Sequence, residues 1–159
     1  MSVRLSAQTN HQLYLAKLML QDLQRKLREG LHPESVLLDA WGQAVVWHLQ
    51  AAYRALVKEL ADKAKQDLPH VLLALDGNDL AAIDALPAEL RELADLKRRS
   101  WLGQLLVADR DQPMQTALVV DPLALREVSQ HYFGVDELTM WFSAFDGLID
   151  RFRETTIEC

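Results

Sequence analysis

The chain has 159 residues, with 23 acidic and 17 basic side chains, five histidines and one cysteine, and carries a net charge of −6. That length reads as one domain over 1–159, able to bury about 68–70% of its unfolded surface without a metal or disulfide staple. The acidic balance argues against a general nucleic-acid binder, the solitary Cys159 excludes an internal disulfide or multi-Cys centre, and no apolar run approaches the ~18–20 residues of a membrane span.

Residues 1–10 lack the apolar core of a signal peptide, so the expected location is cytoplasmic. Thirty leucines and 19 alanines stand against 11 valines and three isoleucines. Leu and Ala lose little entropy on entering a helix, whereas β-branched side chains lose χ1 freedom there. The expectation is an all-α protein.

The first predicted helix runs from about Asn10 to Glu29, with Thr9 or Asn10 as N-cap and Gly30 just past its end. Leu13, Ala16, Leu20, Leu23 and Leu27 form its apolar seam. The second opens at Pro33 and meets no stop signal before Asp67-Leu68-Pro69. A continuous helix of that length is a rod of roughly 50 Å, against roughly 30 Å for the other main blocks. Three resolutions follow: a bend near Gly42, a cover over Leu56–Ala64 from the segment that follows, or contact with another subunit. Leu38, Trp41, Val45, Leu49, Ala52, Leu56 and Leu60 mark its stripe, and Val46, Trp47 and Tyr53 widen it.

Two short helices are expected next, one capped at Asp67 and one spanning Leu80–Leu86, with Asp76-Gly-Asn-Asp79 as the turn between them. A third long helix spans Pro87 to about Ala108, its pattern slipping at Lys97-Arg98-Arg99. Asp109–Pro113 reads as a surface loop and Ala117–Val120 as a buried connector. A short helix then starts at Asp121-Pro122 and runs to about Phe133. The last helix, from about Asp136 to Glu154, has the most regular seam, Val135, Leu138, Phe142, Phe145, Ile149 and Phe152. Short loops between such blocks favour an up-and-down bundle of four main helices, with extra short helices in the connections.

Chemistry is sparse. Glu29-x-x-His32 has di-iron spacing but spans the break at Gly30 and Pro33. Asp76–Asp79 lacks the Gly and Glu that a calcium loop needs, with Ala81 and Pro87 in their places. Cys159 reads as an incidental thiol. No catalytic, cofactor-binding or metal residue is assigned, and no cofactor is expected.

Arg126-Glu-Val-Ser-Gln-His131 resembles the Arg–His motif of the HEPN nucleases, a family of small helical bundles. That resemblance implies a ribonuclease in which Arg126 meets the RNA phosphate and His131 passes a proton. Composition alone supplies roughly one such spacing, and Arg4 with His11 also fits. His48 lies in an apolar part of the second helix and, with Trp41, marks a possible small-molecule pocket. Lys97-Arg98-Arg99 is a basic knot suited to a phosphate or an acidic partner, or simply a solvated face.

The stretches Asn10-His-Gln-Leu-Tyr-Leu-Ala16 and Leu148-Ile-Asp-Arg-Phe-Arg-Glu154, with the tryptophan-bearing second helix, resemble a small, uncharacterised family of proteobacterial proteins of about this length. The resemblance implies a bacterial helical protein and assigns no activity. The reading that best fits is a non-enzymatic bundle acting through protein–protein contact, including self-association. Excess apolar surface at Trp47 and Tyr53, which calls for a partner, motivates it.

Overall fold

The structure, a computed structural model, describes residues 2–112, 114–117 and 128–157, with side chains over 3–112 and 132–154. Its elements are α1 (Ser2–Glu29), α2 (Glu34–Leu37), a π turn (Leu38–Gly42), α3 (Gln43–Lys63), α4 (Leu68–Asp76), α5 (Leu80–Asp84), α6 (Ala88–Arg99), α7 (Trp101–Val107), β1 (Met114–Ala117), β2 (Val128–His131) and α8 (Val135–Ile157). The fold is all-α, with one two-stranded ribbon attached.

Helix α1 begins eight residues before the expected N-cap. Thr9 is therefore not a cap but a fully buried mid-helix residue, its hydroxyl directed to the Leu5 carbonyl and the Glu59 carboxylate. The long second block keeps its length and has its far end buried within the chain. Helical backbone continues from Glu34 to Lys63 through the π turn, which ends at Gly42. Its far end is then covered, because Leu56, Val57, Leu60 and Ala61 are buried in the core. The extra length of α1 supplies part of that cover: Ser6 and Thr9 bond to Glu59, Gln12 to His48 and Trp41 to Asp22, so α1 and α3 run antiparallel.

Asp67 caps α4 by accepting from the His70 amide, and Asp79 caps α5 by accepting from Ala81 and Ala82. The expected single helix over Pro87–Ala108 is two helices. Ser100, with φ −145° and ψ −163°, breaks it, where the apolar pattern slips. Gly103 makes the break possible, since a Cβ there would stand 2.2 Å from the Lys97 carbonyl oxygen. Gln50 on α3 then donates to the Leu105 carbonyl at 3.0 Å, which also accepts from the Ala108 amide at 3.2 Å, closing the end of α7.

The expected helix ending near Phe133 is corrected over 128–131. That stretch is a strand, paired antiparallel with β1 in the register Met114↔His131 to Ala117↔Val128. A Pro-initiated start predicts helix locally, but β-branched Val128 and the short polar run Ser129-Gln130-His131 also suit a ribbon, and cross-strand pairing decides between them. Ala117 ends β1, and the rest of the expected connector lies outside the described residues.

Arg110 anchors the ribbon's approach. Its backbone N–H donates to Gln43, its Nε to Asp39 and its Nη1 to the Phe133 carbonyl, all at 2.8–3.0 Å. Helix α8 opens with Glu137 accepting from the Gly134 amide at 2.9 Å, closing the first turn. Leu138, Trp141, Phe145, Leu148, Ile149 and Phe152 are buried. The seam is thus turned toward Trp141, while Phe142 and Val135 are only partly buried. Gln24 to Thr139 and Asn10 to Arg153 set α8 antiparallel to α1.

Candidate functional site

Two helices that lie side by side leave outer faces as well as buried ones, and the α1–α3 pair leaves a groove. On a 3.6-residue repeat, residues 4, 8 and 11 fall on one face of α1. Residues 47, 51, 54 and 58 fall on one face of α3 by the same count. Antiparallel pairing brings these faces together around a groove of about 540 Å³. Arg4 and His11 form the α1 wall, and Arg54 and Lys58 the α3 wall. Ala7, Ala51 and Ala55 lie between them and contribute only methyl groups.

Among the described residues no carboxylate lines the groove. Arg25, Arg98, Arg110, Arg151 and Arg153 each hold a carboxylate partner. Arg4, Arg54 and Lys58 hold none among the described residues. The nearest acid in sequence is Glu59, and it faces inward. Its carboxylate accepts from Ser6 at 2.8 Å and Thr9 at 2.9 Å, with Arg153 at 3.7 Å on its far side. A like-charged i,i+4 pair such as Arg54 and Lys58 costs a few tenths of a kcal/mol in a helix, and nothing in the groove offsets it.

Trp47 stands one helical turn beyond Ala51 on the same face and is 54% exposed. Its ring meets His48 edge-on at 5.1 Å between centroids. His48 pairs through Nδ1 with Gln12 at 2.9 Å. Burial, and after it the neighbouring His11, push the His48 pKa down, so its imidazole is held neutral at the groove's edge.

The residues singled out from the sequence do not assemble into one site. Trp41 donates to Asp22 at 2.7 Å and lies under Lys26, whose Nζ is 4.7 Å from the ring centroid. His48 contacts α1 ten residues away, at Gln12. The two lie two turns apart on the same stretch of helix, each engaged separately. Tyr53, counted as surplus apolar surface, is buried within the chain at 8% exposure, which leaves Trp47 to carry that argument. Arg126 lies outside the described residues, as does the side chain of His131, whose backbone closes β2 opposite Met114. Cys159 is likewise outside them.

Lys97-Arg98-Arg99 lines a second groove of about 570 Å³ with Trp101, Val107 and Met140. Its charge is largely answered internally. Lys97 binds the Leu75 carbonyl at 3.1 Å and the Asp76 carboxylate, and Arg98 binds Asp95 at 2.8 Å. Among the described residues no three His, Cys, Asp or Glu side chains group to hold a metal, and no helix is long and apolar enough to cross a membrane.

Sequence reasoning missed the α1–α3 groove because it began α1 at Asn10, which left Arg4 off the helix. The available signal was the pairing of Arg4 with His11 at i,i+7 and of Arg54 with Lys58 at i,i+4. Comparison with curated proteins and with solved structures gives no match. The family model of DUF6586, a family of unknown function, matches residues 1–159, and the chain belongs to that family.

Proposed function

We propose that this protein is a non-enzymatic cytoplasmic helical bundle that works through protein–protein contact, and that the outer face of α1 and α3 is the contact face. One observation carries the reading: a half-exposed Trp47 in line with Arg54 and Lys58, across from Arg4, with no partner for the three cations among the described residues. Tryptophan and arginine dominate the energetics of interfaces when desolvated, and an exposed tryptophan in a cationic setting supplies both.

A photo-crosslinking residue at position 47 tests this in cells, with one at exposed Arg91 on α6 as control. The expected result is a discrete protein adduct at position 47, a second copy of the chain included, that is absent at position 91 and lost on Lys58→Glu. Equal labelling at the two positions overturns the reading. Purified protein that cleaves RNA, with loss of cleavage in His131→Ala, would favour the nuclease alternative instead.

A further inference from the structure

The groove's shape and charge specify its occupant. Its two walls are α-helices, and its uncharged lining is three alanines, Ala7, Ala51 and Ala55, with the amides of Gln8 and Gln12. Small side chains between helices let a third helical backbone approach to the usual 8–10 Å packing distance. The polar margins of that strip are Arg4 and His11, roughly 10 Å apart along α1, and Arg54 and Lys58, roughly 6 Å apart along α3, at 1.5 Å per residue. A small-residue floor with charged margins is the arrangement of a helix–helix seam whose flanking positions choose the partner.

Resting on the contact reading above, we infer that the α1–α3 groove binds an amphipathic helix of a partner protein, with an apolar seam over Ala7, Ala51 and Ala55 and glutamates or aspartates on both flanks facing Arg4, Arg54 and Lys58. Charge complementarity is the ground for the acidic flanks. Glu59, which could have neutralised the groove, is committed to Ser6 and Thr9, so no described residue supplies the carboxylates that an acidic partner would bring. Trp47 lies at the end of the strip and covers the last apolar residue of the incoming helix. A nucleic acid fits less well: the floor offers methyl and amide groups in place of stacking faces, and the chain's net charge of −6 repels a long polyanion.

The probe is a synthetic 21-residue helical peptide with leucines in a single seam and glutamates on both flanks, read by fluorescence anisotropy against the intact protein. Peptides with the same seam and glutamine or lysine flanks are the comparison. The expected order is Glu over Gln over Lys, at least tenfold per step, weakening as salt rises. Arg54→Glu/Lys58→Glu should weaken the Glu peptide at least tenfold and restore binding of the Lys peptide. Arg54→Gln/Lys58→Gln, with unchanged circular dichroism, guards against misfolding by giving an intermediate loss.

Failure of the Glu peptide to bind, or equal affinity for all three peptides, overturns the inference. Full displacement of the Glu peptide by pyrophosphate or a single-stranded oligonucleotide at lower concentration also overturns it, in favour of a general anion groove. If the peptide fails while the position-47 adduct persists, the contact reading stands and the acidic helix falls. If both fail, both fall.

Discussion

The two basic regions of this molecule look alike in composition and differ in what they leave available. Lys97-Arg98-Arg99 is contiguous and conspicuous, yet the break at Ser100 folds it into a setting where Lys97 reaches Leu75 and Asp76 and Arg98 reaches Asp95. Arg4, His11, Arg54 and Lys58 are scattered over 55 positions of sequence, yet helical periodicity and antiparallel pairing gather them around one groove with no acid among the described residues that line it. The lesson is electrostatic. A run of like charges on a short helix has neighbouring carboxylates within reach, whereas a groove between long helices stays charged when its nearest carboxylate is turned into the core.

Glu59 is therefore the residue whose loss breaks the comparison most sharply. At 8% exposure it is one of two buried polar residues among those described, the other being its partner Thr9. Glu59→Ala strands the Ser6 hydroxyl, leaves Thr9 only the Leu5 carbonyl, and leaves the Arg153 Nη2, which makes no hydrogen bond of its own, without its ion partner. The expected destabilisation is about 3 kcal/mol by urea denaturation, within the range for breaking buried hydrogen-bonded charges. A loss below about 1 kcal/mol would mean that the carboxylate is not committed inward, and the groove's lack of a counter-charge would then need another cause.

The second basic region has its own weak point in Gly103. A methyl group at that Cα meets the Lys97 carbonyl oxygen at 2.2 Å, so α6 and α7 must part. Gly103→Ala should cost about 2 kcal/mol, as overpacking against backbone does. It should also loosen Lys97 from Asp76, so the cation there becomes more available while the α1–α3 groove is untouched. Gly147→Ala on α8, where the new methyl meets nothing within 4 Å, is the control. Helix propensity makes it neutral or stabilising by up to about 1 kcal/mol.

Much of the fold was legible for local reasons. The seams of α1 and α8, the cap at Asp67 and the turn between α4 and α5 follow from periodicity and side-chain capping, which neighbouring residues decide among themselves. The break at Ser100 showed only as a slip in register, because its cause is the close approach of Gly103 to the Lys97 backbone. The strand at Val128–His131 was misread since its pairing partner lies at Met114–Ala117, beyond the reach of a local rule. The groove was illegible as a site for a related reason. Arg54 and Lys58 are ordinary solvated-face residues until α1 is known to extend to Ser2 and to run antiparallel to α3. Trp47 and Tyr53 looked equivalent in the sequence, and only packing separates the exposed one from the buried one.

The smallest effects are titrations, and they sharpen the comparison because one helix carries a group coupled to each region. Tyr53 on α3 has its pKa pushed up to about 12 by burial and then by the charge of Asp76, the carboxylate that also holds Lys97. Its folded value lies above its unfolded value, near 10, so its contribution to stability is whole below about pH 10 and is lost as pH rises through 12. Tyr53→Phe should flatten that alkaline loss in urea midpoints measured from pH 9 upward. His48 moves the other way, lowered by burial and then by His11 at the groove. The unfolded imidazole takes up its proton first, so this contribution is present above about pH 6.5 and is lost as pH falls through the lowered folded value. His48→Gln should remove that acid dependence. Of the two causes, burial is intrinsic to the α1–α3 contact and stays, while the His11 charge is screened by an acidic occupant of the groove. Bound Glu peptide should therefore raise the His48 pKa seen by NMR, and His11→Gln should abolish most of that rise. A His48 titration unchanged by the peptide would separate the imidazole from the groove electrostatically, leaving Arg4, Arg54 and Lys58 as the charges that choose the partner.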